Sequence, residues 1–206
     1  MKRVVLFSMP TDANKAKLAE ALFPSEMREK RLAYMPSNGH NTKQVYTDYW
    51  KAFATDNKAE FVMVDNMLDR SAGEGKKILW ANILLISGGN TFELLNNLRQ
   101  SGLDSEVVEF AKKKGFVLAG FSAGAIVLTP TIEVASVPSG NDSEDLVDQN
   151  LVGIKDLTGL GIIDFEVFPH YVEDKDKGTL ESYRSKSGYE VKEITDDGVI
   201  VLNLSR

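Results

Sequence analysis

The chain has 206 residues, of which 43% are apolar and 26% charged, and its formal net charge is −6. This is room for one domain with a sizeable core. The negative balance speaks against nonspecific nucleic-acid binding, and no apolar run reaches the roughly 20 residues of a membrane span. Cysteine is absent and histidine is limited to His40 and His170. Disulfides, thiolate metal sites and a cysteine nucleophile are therefore excluded, and imidazole chemistry has two candidates. The composition fits a cytoplasmic protein and says nothing of oligomeric state.

Strand and helix signals alternate along the chain. Val4 to Met9 predicts a first strand. Asn14 to Leu22 predicts a helix, with Ala16, Leu18, Ala19 and Leu22 at helical spacing. Arg31 to Met35 is a short strand, followed by the turn-rich Pro36-Ser37-Asn38-Gly39-His40-Asn41. Thr42 to Ala54 predicts a helix, Glu60 to Asp65 a strand, Glu74 to Asn82 a helix and Ile83 to Ile86 a fully apolar strand. Ser87-Gly88-Gly89-Asn90-Thr91 then opens a helix over Phe92 to Leu98. Ser105 to Lys114 is another helix, and Phe116 to Ala119 another apolar strand. The rhythm predicts an α/β fold, a mostly parallel sheet with helices on both faces.

The pattern breaks after Pro130. Residues Ser136 to Gln149 are polar and acidic, as in a long loop. Phe165 to Phe168 predicts a strand ending at Pro169-His170, and Thr179 to Ser187 a helix. Val191 to Thr195 and Val199 to Asn203, joined by Asp196-Asp197-Gly198, predict a C-terminal hairpin. With no repeat, linker or low-complexity tract, residues 1–206 are expected to form a single domain.

The chemistry concentrates at Gly120-Phe121-Ser122-Ala123-Gly124, a G-x-S-x-G between an apolar strand and the short apolar Ala125 to Leu128. That is the setting of a nucleophile elbow, in which a tight turn exposes the serine hydroxyl. The Ala123 amide, at a helix start, could receive an oxyanion. A serine needs a base. His170 follows a strand and so belongs at the sheet edge where α/β sites gather; His40, in a Gly/Asn loop, reads as a surface residue. Gly88 and Gly89 offer unobstructed backbone amides for the rest of an oxyanion hole. The acid that would orient the imidazole is sought in the long loop, among Asp142, Glu144, Asp145 and Asp148, between which spacing does not choose. Two further readings compete with a peptidase on these residues: a non-catalytic small-molecule or peptide binding module, and an esterase or amidase.

Taken together, Ser87-Gly88-Gly89-Asn90-Thr91, Gly120 to Ala125, Pro130-Thr131-Ile132 and Pro169-His170-Tyr171 resemble the peptidase E family of aspartyl dipeptidases, with its cyanophycinase relatives. The resemblance implies a flavodoxin-like three-layer sandwich akin to the class I glutamine amidotransferases, with serine replacing their cysteine. It implies a metal-free, cofactor-free Ser-His-acid hydrolase of dipeptides with N-terminal aspartate, working through an acyl-enzyme. Ser122 takes the place of the nucleophile, His170 of the base, and Gly88, Gly89 and Ala123 of the oxyanion hole. In peptidase E an Asn-Asp pair closely follows Pro-Thr-Ile. The same distance here lands on Val137, whereas Asn141-Asp142 restores the pair if the loop is longer, which makes Asp142 the expected acid and Asp145 the second choice. An acidic substrate calls for a cation, sought in Lys175, Lys177 and Arg184.

Overall fold

In β1 (Lys2–Phe7), Val4 and Leu6 turn to one core cluster and Val5 and Phe7 to another, and all four are fully buried. A strand with apolar side chains on both faces belongs inside a sheet covered twice. The computed structural model, which describes residues 1–139 and 147–204, bears this out. The sheet runs β3-β2-β4-β5-β1-β8, with β2 (Arg31–Met35), β3 (Glu60–Met63), β4 (Ile83–Ile86) and β5 (Phe116–Phe121) in parallel register with β1 or with one another. β8 (Val199–Leu204) closes the edge antiparallel to β1.

Helices α1 (Lys15–Leu22) and α2 (Gln44–Asp56) cover one face through Leu18, Leu22, Trp50 and Phe53. The other face is covered by α3 (Glu74–Trp80), α4 (Thr91–Ser101), α5 (Leu103–Ala111), α6 (Ala123–Val127) and α7 (Glu173–Arg184). Three layers result, as the alternation of elements predicts. No helix among the described residues is long and apolar enough to cross a membrane.

The expected strands at the C-terminus are both present, β7 (Val191–Ile194) and β8, joined by a turn in which the Gly198 amide donates to the Thr195 carbonyl at 2.9 Å. Their ladders lie elsewhere: β7 runs parallel to β6 (Glu166–Pro169) in a separate two-stranded sheet, while β8 pairs with β1. The turn between them therefore bridges the two sheets. α7 begins at Glu173 rather than Thr179. The acidic run Glu173-Asp174-Lys175-Asp176 is its first turn, where negative charge meets the positive end of the helix dipole, and the Asp176 carboxylate accepts the Val172 amide at 2.7 Å.

Candidate functional site

The carboxyl ends of the parallel strands are flush. Phe7 lies opposite Phe121 and Ile86 opposite Gly120, so Ser8, Ser87 and Ser122 emerge along one rim, where open α/β sheets place their sites. The Ser122 amide donates to the Phe7 carbonyl at 3.0 Å, extending the β1–β5 ladder by one step. The chain then reverses into α6. Ser122 has φ +49° and ψ −120°, a region that side-chain-bearing residues rarely adopt.

The flanking glycines are what allow this reversal. A Cβ on Gly120 would lie 2.2 Å from the Gly124 carbonyl oxygen, and one on Gly124 would lie 2.2 Å from the Ile86 carbonyl oxygen. Backbone packs on backbone at both positions, so the spacing of the motif is a steric requirement. The Ser87-Gly88-Gly89 turn rises beside it. Gly89 has φ +140°, and a Cβ there would meet the Ser37 hydroxyl at 2.1 Å. Among the described residues, no acceptor is paired with the amides of Gly88, Gly89 or Ala123. These are the three donors expected of an oxyanion hole.

His170 also has a positive φ, +59°. Its backbone is held by Ser8, a fully buried hydroxyl that accepts the His170 amide at 2.9 Å and donates to the Ile194 carbonyl at 2.8 Å. The strand leading to it is anchored as well. Glu166 of β6 is buried and accepts from the Thr131 hydroxyl of the Pro-Thr-Ile segment and from Ser187, each at 2.8 Å. With its backbone so placed, the His170 ring sets Nε2 at 2.9 Å from the Ser122 Oγ. The sequence thus brings its motif serine and one of its two histidines into contact. His40 lies elsewhere: its ring is half exposed, with Nδ1 2.7 Å from the buried Asp65 carboxylate.

The Nδ1 of His170 is 2.7 Å from Asp196 Oδ1. An ionised carboxylate can only accept, so Nδ1 carries the proton and Nε2 is left to accept from the serine. Asp142, the acid expected in this place, lies outside the described residues, as do Glu144 and Asp145. In the sequence Asp196 carries no signal of this contact, because Asp-Asp-Gly between two strands is ordinary turn chemistry. Its turn is tied down on the far side. Asn14 donates through Nδ2 to the carbonyls of Met9 at 2.9 Å and Asp196 at 3.2 Å, and the Thr11 hydroxyl meets Asp197 at 2.6 Å.

Asp148, another loop carboxylate considered for the acid, takes a different position. Its Oδ2 accepts both the amide and the hydroxyl of Thr91, at 2.8 and 2.6 Å, at the start of α4. Burial pushes its carboxyl up from the ordinary aspartate value, opposed by the Thr91 bonds.

A cavity of about 420 Å³ opens beside Ser122 and His170, lined also by Met9, Asn38, Asn41, Tyr46 and Lys43. Lys43, at the entrance to α2, is the lining cation; the expected Lys175, Lys177 and Arg184 do not line it. Arg184 is bound to the Val191 carbonyl and Glu193, and Lys177 pairs with Glu173 at 3.2 Å, both along α7.

Peptidase E of Salmonella arizonae is 27% identical over 182 residues, which is 85% of this chain and 71% of that one. Peptidase E of Citrobacter koseri is 31% identical over 98 residues, and a peptidase of Pasteurella multocida without assigned activity is 30% identical over 95. These two matches span 38% and 42% of the relatives' own lengths. A crystal structure from Listeria monocytogenes with a provisional peptidase E designation superposes over the whole of both chains with a TM-score of 0.72 at 22% identity. A peptidase structure from an acI-B1 actinobacterium covers 98% of this chain and 84% of that one, with a TM-score of 0.69 at 17% identity. At those identities the structures establish the shared fold. The model of peptidase family S51 matches residues 5–203, nearly the whole chain, and the chain belongs to that family.

Proposed function

We propose that this chain is a serine peptidase acting on short peptides, with dipeptides bearing N-terminal aspartate as the first substrates to try. The observation that carries the reading is the relay from Ser122 Oγ to His170 Nε2 at 2.9 Å and from His170 Nδ1 to Asp196 at 2.7 Å. In this reading Ser122, at a nucleophile elbow, attacks the scissile carbonyl carbon as its proton passes to Nε2. The carbonyl π pair moves onto oxygen, and the unpaired amides of Gly88, Gly89 and Ala123 hold that oxyanion. The tetrahedral adduct collapses, the C–N bond breaks, and Nε2 returns its proton to the departing amine. Water then attacks the acyl-enzyme through the same imidazole, releasing the acid and restoring the Ser122 hydroxyl. Asp196 keeps Nε2 in its accepting tautomer and stabilises the transient imidazolium.

The test is hydrolysis of Asp-Leu by the wild type, Ser122→Ala, Asp196→Asn and Asp142→Asn. The first two variants are expected to lose about 10³-fold or more in kcat, with Asp142→Asn near wild type. A collapse with Asp142→Asn and a fully active Asp196→Asn would move the acid back to the long loop. Binding of Asp-Leu without turnover by the wild type would reject the peptidase reading.

A further inference from the structure

β8 stands at an edge of the main sheet, with β1 on one side and no strand on the other among the described residues. Its composition is that of an interior strand. Val199-Ile200-Val201-Leu202-Asn203-Leu204 carries no charged side chain. Val199 and Val201 pack against one core cluster, Ile200 and Leu202 against the other, so its apolar residues serve both faces as those of β1 do. Edge strands are ordinarily short or guarded by charge. β3, at the opposite edge, has four residues and begins with Glu60, and β7 carries Lys192 and Glu193. β8 has neither protection.

The ladders show which of its groups face outward. The Phe116 and Ser122 amides donate to the Met1 and Phe7 carbonyls, each at 3.0 Å, so the odd-numbered residues of β1 bond to β5. Lys2, Val4 and Leu6 are left to bond β8, opposite Leu204, Leu202 and Ile200. The amides and carbonyls of Val199, Val201 and Asn203 therefore point away from the sheet. Lys17 of α1 reaches the Val199 carbonyl at 3.0 Å, which leaves that oxygen a second lone pair. The other outward groups have no partner among the described residues.

We propose that β8 pairs with β8 of a second copy of this chain, antiparallel about a twofold axis at Val201, so that the two sheets run on as one. Val201 then faces Val201 of the second copy, and Val199 faces Asn203. Each such pair exchanges both of its backbone hydrogen bonds, and the same surface serves both copies. α1 fits the same axis. Lys17 lies at the Val199 end of the edge. At the other end Arg3 donates to the Glu20 carbonyl at 3.3 Å and to the Asn203 side chain at 3.0 Å. Lys17 and Glu20, three residues apart, share a helix face, and both are exposed, as is Ala16 beside them. The twofold brings Lys17 of each copy against Glu20 of the other, and the small Ala16 side chains let the two helices approach. That charge complementarity selects a second copy over an arbitrary extended peptide, which would supply only the backbone bonds. The pairing is independent of the peptidase reading, since it uses no residue of the candidate site.

The experiment combines sedimentation velocity with NMR-detected amide hydrogen exchange on the full chain, from low micromolar to near-millimolar concentration. The wild type is expected to pass from monomer to dimer. Over the same range the Val199, Val201 and Asn203 amides should gain protection, while those of Ile200 and Leu202 are protected throughout by β1. Val201→Pro removes an outward amide and spares the β1 ladder. It is expected to weaken the dimer by about 100-fold with circular dichroism unchanged. Lys17→Glu sets like charges across the seam and is expected to weaken the dimer by about 10-fold, and adding Glu20→Lys to restore it. Should Val201→Pro fail to fold, the charge variants and the exchange pattern decide. A wild type that stays monomeric throughout overturns the proposal. So does a dimer whose Val201 and Asn203 amides exchange freely, or one that the charge pair does not rescue, since its seam then lies elsewhere. Edge amides protected in the monomer would mean that the chain covers its own edge. Protection gained only on adding a synthetic Thr-Val-Thr-Val-Thr peptide would mean that the edge takes an extended strand of any origin. Both results overturn pairing between copies.

Discussion

The hydroxyl of Ser8 joins His170 to the main sheet, accepting its amide at 2.9 Å while donating to Ile194 at 2.8 Å. One fully buried side chain at the end of β1 therefore fixes the distance between β5, which carries Ser122, and the separate β6–β7 pair, which leads to His170 and Asp196. Ser8→Ala leaves the part-buried His170 amide without its acceptor, whereas the Ile194 carbonyl keeps the Tyr171 amide. The expected loss of stability is about 1–3 kcal/mol. The expected fall in kcat is about 10-fold or more, since the imidazole loses its anchor. Thermal melting and steady-state kinetics on one preparation check both effects, and an unchanged kcat would show that β6 and β7 hold the ring unaided.

Ser122 sits at φ +49° and ψ −120°, which glycine adopts far more readily than serine. Ser122→Gly should therefore melt higher than the wild type while losing all turnover. Ser122→Ala keeps the strain and should melt lower than Ser122→Gly. An equal or reversed order would mean that the turn stores no strain.

Gly124→Ala tests the steric basis of the motif. The added methyl would lie 2.2 Å from the Ile86 carbonyl oxygen, and backbone of two elements would have to separate. The expected penalty is about 3 kcal/mol, at the upper end of overpacking effects. Activity should fall with it, because Ile86 leads directly into the Gly88-Gly89 turn. Gly178→Ala, in α7, meets no atom within 4 Å and serves as the control, with stability unchanged or slightly raised.

Lys43 lines the large cavity and is the cation there. Lys43→Glu should lower kcat/KM for acidic dipeptides by about 10-fold or more and reduce the penalty on basic ones, with the change carried mainly in KM. Charge reversal at Lys177, which pairs with Glu173 on α7, should leave the ranking of substrates intact. A substrate panel of Asp-, Ala- and Lys-leading dipeptides reads the result.

Much of this was open to inspection without coordinates. Strands with consecutive apolar residues, such as Ile83 to Ile86, predict burial on both faces, and the observed sheet has it. The start of α7 was not legible, since Glu173 to Asp176 reads as loop until the helix dipole that favours it exists. Lys43 is silent in the sequence for a similar reason: nothing local distinguishes it from any other lysine at the start of a helix.

By itself the sequence determined the alternation of strands and helices, the tight turn at Ser122 and the restriction of imidazole chemistry to His40 or His170. Each of these depends on residues close together in the chain, through periodicity, through glycine spacing or through the plain absence of other residue types. Only the tertiary structure decided which carboxylate meets His170. That choice turns on β7 taking β6 as its ladder partner while β8 takes β1, which carries Asp196 to the ring and leaves Asp148 on Thr91. Strand pairing across such separations is settled by the packing of whole elements, and no local propensity encodes it.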